Sequence, residues 1–188
     1  MKKSIIVTIA LFCFMSLMKS HAIEHTSHVH GLAEMAIVIE NDRVNIEIKS
    51  PAMNLVGFEH KAITQKHIAA VNTAELLLSN PKKIFSFAGA HCQLINKSID
   101  LSPIKKEHHH VEKEHKKSIH KQNNHSEVTA YYDYHCEKKS ALSAITVTLF
   151  DLFPSLQKTY VMWATETQQG AITLSATNNV INLRVNHE

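Results

Sequence analysis

Residues 35–51, MAIVIENDRVNIEIKSP, decide how the chain folds. Met35, Ile37 and Ile39 alternate with Ala36, Val38 and Glu40. After Asn41-Asp42, Val44, Ile46 and Ile48 alternate with Asn45 and Glu47. Side chains along a strand point to opposite faces in turn, so a period of two marks a strand with one buried face. Two such runs around a two-residue Asn-Asp loop predict a β-hairpin. Pro51 lacks an N–H to give to a ladder and ends the second strand.

Downstream of the hairpin, NLVGFEH (54–60) reads as a connection with Gly57 in its middle. Ile63, Val71, Ala74, Leu77 and Leu78 then recur at helical spacing over 62–79, and Asn80-Pro81 stops that helix. Residues 84–95 predict a short helical turn and then a strand. In the second half, Val128, Ala130, Tyr132 and Tyr134 form one face of a strand, with Cys136 continuing the row. Ile145, Val147 and Leu149 make another. Phe150 to Pro154 is an apolar turn. Segments 160–164, 171–175 and 180–185 are three more strands. The expected fold class is α+β, a sandwich-like arrangement of a mainly antiparallel sheet with one longer helix.

Upstream, Lys2 and Lys3 precede an uncharged apolar run from Ile5 to Met18, and Ser20-His21-Ala22 has the small residues of a cleavage site. This predicts a secretory signal peptide over 1–22. The run is short for a membrane span. Cys13 follows the large Phe12, which does not fit a lipoprotein signal. The remaining chain, 23–188, is read as a single exported domain, long enough for a real core and not embedded in a membrane.

Residues from about 104 to 126 differ from their surroundings. KKEHHHVEKEHKKSIHKQNNHS (105–126) is nearly free of apolar side chains, cannot offset its ordering entropy by burial, and predicts a disordered insertion. The net charge is only +3, with Arg at positions 43 and 184 alone, so the concentrated basic surface needed for nucleic acid is missing. The compositional outlier is histidine, 15 of 188 residues, which directs attention to metals, because neutral imidazole is the commonest protein ligand for zinc and also accepts copper and nickel.

Three groups of residues could hold a metal. His28-Val29-His30 projects two rings to the same side of an extended segment, and Glu59-His60, at the end of the hairpin connection, is placed to complete a site. In the insertion, His108, His109, His110, His115, His120 and His125 step by five residues from His110 on. Five residues rotate about 140° on a helix, so these rings cannot share one helical face. With His25 in the N-terminal arm they read as a string of weak capture ligands, the alternative being a plain solvated linker. The third group is His91-Cys92 with His135-Cys136, a Cys₂His₂ composition. Neighbours on a strand face opposite ways, and export favours a Cys92–Cys136 disulfide instead. His67 falls on the apolar stripe of the predicted helix and reads as a packed histidine, and His187 as incidental.

No zinc-protease H-E-x-x-H pair, no G-x-S-x-G elbow and no phosphate-cradling Gly-rich loop is present, and no catalytic residue is assigned. The residues leave open a periplasmic chaperone or buffer for nickel, cobalt or copper, a zinc hydrolase with Glu59 as base, and a structural domain with a bland loop.

HVHGLAEMAIVIENDRVNIEIKSPAMNLVGFEH (28–60), the cysteines at 92 and 136 flanking a His-rich insertion, and LFDLFPSLQKTYVMW (149–163) together resemble the ZrgA-like periplasmic zinc-binding proteins of Gram-negative bacteria. The likeness runs from His28 to about Leu183. It implies a secreted, non-enzymatic protein that binds Zn(II) and assists a zinc-uptake system beside an ABC-type importer, with a homodimer as a further arrangement to test. The positions that match the family pattern are His28, His30, Glu59 and His60. The chain departs from it at Lys61-Ala62, where a proline is expected nearby.

Overall fold

The hairpin of residues 35–51 is the middle of the larger of two sheets. In the computed structural model, residues 29–105 and 126–183 are described. Strands β1 (Leu32–Glu40) and β2 (Arg43–Pro51) pair antiparallel, with Met35 opposite Ile48, Ile37 opposite Ile46 and Ile39 opposite Val44. Asn41 takes the positive φ of 52° that the tight turn demands. All six apolar residues are at most 4% exposed, as the alternation predicts.

This buried row extends across the sheet on both sides. Strand β5 (Glu127–Glu137) joins β2 antiparallel and sets Ala130, Tyr132 and Tyr134 beside Ile48, Ile46 and Val44. Strand β7 (Lys158–Thr165) joins β1 and places Val161 and Trp163 beside Met35 and Ile37, but it runs parallel to β1. With β4 (His91–Asp100) and β8 (Gln169–Leu174) at the edges, the order is β4-β5-β2-β1-β7-β8. A second sheet has the order β3 (Phe85–Ala88), β6 (Ala144–Val147), β9 (Val180–Asn182). Its Ile145, Val147 and Ile181 are fully buried. Phe85 meets Tyr132 edge-on at 5.4 Å between ring centres, and Phe87 meets Tyr134 at 4.8 Å, a geometry that aromatic quadrupoles favour.

The expected α+β sandwich with one longer helix is therefore corrected. The described chain is mostly β, two sheets with only small helices. The periodicity over 62–79 does form a helix, α2 (Gln65–Leu78), capped by Thr64, whose Oγ1 accepts from the His67 N–H. It buries only Val71, Ala74 and Leu78 and is no layer by itself. The two others, α1 (Ala52–Val56) and α3 (Leu149–Leu152), are single turns. What fills the second layer is the small sheet, assembled from three short segments far apart in sequence. Residues 84–95 split between the two sheets, because Gly89, at a φ of +87°, turns the chain from β3 into β4. Strand β4 also runs on to Asp100, past the point where apolar residues thin out. Its backbone pairs with β5 from His91 to Asp100, with one register shift between Leu94 and Asn96, and an edge strand needs only that ladder.

Candidate metal centre

The candidate ligands lie where β1 begins and where the chain leaves α1. His30 occupies a tight turn, closed by the Leu32 N–H donating to Val29 O at 3.0 Å. Gly31 follows with φ +84°, a conformation glycine adopts without strain. Its carbonyl accepts from the Gln157 and Lys158 N–H groups, both at 2.8 Å. Its own N–H donates to Asn54 Oδ1 at 2.6 Å. Asn54 is 2% exposed and uses its amide nitrogen as well, donating to Leu32 O at 2.9 Å and to Ser50 Oγ at 3.1 Å. One side chain on α1 thus fixes the backbone on both sides of Gly31, and through it the position of His30. The sequence reading missed Asn54. Its signal was a lone amide amid the apolar residues of AMNLV.

Helix α1 ends at Gly57, whose φ of +82° makes a left-handed cap with its N–H donating to Met53 O at 3.0 Å. The chain then turns so that Glu59 reaches His30: Nε2 of His30 lies 3.2 Å from Glu59 Oε1. A carboxylate only accepts, so this bond puts a ring proton on Nε2. A metal-binding imidazole is normally prepared in this way, oriented by a carboxylate on its other nitrogen. The Glu59 side chain is only 11% exposed, against 54% for His30.

His60 is prepared similarly. Its Nδ1 sits 2.9 Å from Lys61 O, so the proton is on Nδ1 and the lone pair on Nε2. The ring stacks on Phe58, with centres 4.9 Å apart and planes at 22°. His67, from the first turn of α2, joins the group 4.5 Å from Phe58 and 4.8 Å from His60. Its Nδ1 is buried without a hydrogen-bond partner. Leaving such an atom unmatched costs about 1–3 kcal/mol, a cost that the packing of His67 against Phe58 leaves in place.

The structure thus brings the candidates together as two pairs, His30 with Glu59 and His60 with His67. Among the described residues, no three His, Cys, Asp or Glu side chains come close enough to share an ion. His25 and His28 lie outside the described residues, as do His108, His109, His110, His115, His120 and His125 and the signal-peptide segment 1–22.

The two described ends of the His-rich insertion meet this locus. Ser126 Oγ donates to Glu59 O at 2.7 Å, and Ser126 O accepts from the Ala52 N–H at 2.8 Å. On the other side the Ala62 N–H donates to Ile104 O at 2.8 Å, and Lys61 Nζ to Ser102 O at 3.0 Å. Residues 59–62 are therefore clasped between both roots of the insertion.

Cys92 and Cys136 form a disulfide, with Cα atoms 4.0 Å apart across the β4–β5 ladder. Both thiols are consumed, which removes the Cys₂His₂ alternative. His135 turns instead to Asp42, with Nδ1 at 2.9 Å from Oδ2. The disulfide does not hold the base of the insertion, since it sits at the far end of the β4–β5 hairpin, and the base is closed by the Asp100–Thr129 pairing and the contacts to residues 59–62. No helix among the described residues is long and apolar enough to cross a membrane.

No curated protein matches the chain. Residues 27–183 match the family described as ZrgA family zinc uptake protein. That span takes in the His30–Glu59 pair, the clasp around residues 59–62 and nearly every described strand, and the chain belongs to the ZrgA family of zinc uptake proteins.

Proposed function

We propose that this chain is a periplasmic, non-catalytic zinc carrier of the uptake system. Its mature domain, 23–188, binds Zn(II) at His28, His30, Glu59 and His60. His25 and the histidines of the insertion capture the ion first. The observation that carries the reading is the His30–Glu59 bond, which joins two predicted ligands 29 residues apart. The lone pair on His60 Nε2 supports it further. The rooting of the insertion on both sides of residues 59–62 gives capture a purpose, because an ion picked up between Lys105 and Ser126 is held within reach of the ordered ligands. Delivery would be to an ABC-type importer.

Isothermal titration of the mature chain with Zn(II) at neutral pH tests the proposal. We expect one tighter site above several weak ones. The variant His30→Ala removes the tighter site, while deletion of residues 106–125 removes weak sites and spares it. Absence of zinc binding by the intact chain overturns the reading.

A further inference from the structure

We propose that His67 is a zinc ligand, paired with His60 to form a two-imidazole binding point on the floor made by Phe58. The proposal rests on the zinc-binding reading above and adds a residue to it.

Three observations converge. The rings of His60 and His67 are 4.8 Å apart at an interplanar angle of 56°. Two imidazoles on one tetrahedral ion, with Zn–N bonds of about 2.0–2.1 Å, have ring centres about 5 Å apart and tilted planes. The observed ring separation and tilt match that arrangement. Second, both rings offer a bare nitrogen. The Lys61 carbonyl holds the proton of His60 on Nδ1, so Nε2 carries the lone pair. Nδ1 of His67 is buried without a hydrogen-bond partner, and a metal ion would give it the partner it lacks. Third, His67 is anchored. It lies in the first turn of α2, its N–H bound to the capping Thr64 at 3.2 Å, so the nitrogen is presented from a rigid element.

The test is long-range ¹H–¹⁵N NMR of the imidazole nitrogens of the mature chain, titrated with Zn(II). The expected result is that His67 Nδ1 and His60 Nε2 shift together, at the same zinc concentration. In His67→Phe, which keeps an aromatic ring in the stack but no nitrogen, the midpoint of the His60 shift should rise about tenfold or more, because the second ligand no longer acts intramolecularly. Unmoved His67 signals in the intact chain, or an unchanged His60 midpoint in His67→Phe, overturn the proposal. If the phenylalanine variant does not fold, the shifts of the intact chain decide alone. A response at His30 without one at His67 defeats only this inference, whereas silence at every histidine defeats the zinc-carrier reading as well.

Discussion

Asn54→Ala separates support of the site from the ligands themselves. Asn54 makes three hydrogen bonds, at 2.6 Å from the Gly31 N–H, 2.9 Å to Leu32 O and 3.1 Å to Ser50 Oγ. Truncation deletes all three and leaves the Gly31 N–H without its acceptor in a buried place. At about 1 kcal/mol net for each bond, the loss is about 3 kcal/mol. A domain of this size shifts its Tm by roughly 2–4 °C per kcal/mol, so the midpoint should fall by about 6–12 °C in a circular dichroism melt. Zinc affinity should fall too, because Gly31 carries His30. Asn54→Asp is the control: it keeps an acceptor for Gly31 but loses both donations, and should fall between wild type and Ala. A Tm change below about 2 °C refutes the buried-network argument, since it is less than one hydrogen bond's worth. A full loss of stability with unchanged zinc titration refutes the claim that Asn54 positions His30.

Reducing the Cys92–Cys136 bond, which spans 44 positions, should cost about 4 kcal/mol by the chain-entropy account, read as a lower urea midpoint with reductant present. Glu59→Gln keeps an acceptor for His30 but removes the charge of a proposed ligand, and should weaken zinc binding in calorimetry by at least the about 10–100-fold that loss of an orienting carboxylate alone produces. Gly170→Ala places a Cβ 2.6 Å from the Trp163 ring, and overpacking of this kind should cost about 1–3 kcal/mol in a denaturant titration. The Asp100 carboxyl, hydrogen-bonded to Ser102, is held below the usual carboxylate range. Its contribution is therefore present above the ordinary value near 3.8 and lost as the pH drops through the lowered one, so Asp100→Asn should flatten the acid limb of a stability–pH curve.

Legibility in the sequence followed the range of the interactions. The 35–51 hairpin was readable because its turn and its alternation are local, and α2 because four apolar positions share one helical stripe. The parallel docking of β7 on β1 was not, since its register links Met35 to Val161 and no local pattern encodes a partner that distant. The second sheet escaped for the same reason: Phe85, Ile145 and Ile181 each read as an isolated short strand, and only their mutual pairing makes a layer. At the site, the H-x-H and Glu59-His60 motifs were visible as ligand chemistry. Asn54 was not, because an amide reveals its value only through the backbone groups it meets. His67 was read as packed, and it does lie against Phe58, but helical periodicity reports only the face a side chain is on and not that Nδ1 lacks a partner.

The position of the disulfide has a consequence for how the protein can change over time. Asp100 and Thr129 are paired, and Ile104 and Ser126 are bonded to neighbouring backbone or side chain, so both ends of the insertion are fixed by contacts of their own. The covalent clamp at the other end of the hairpin keeps β4 and β5 in register whatever happens in that interval. Even for a fully flexible chain, doubling such an interval adds only about 0.6 kcal/mol of closure entropy. The number of imidazoles carried there can accordingly drift upward or downward, or be rewritten by an engineer, almost uncoupled from folding.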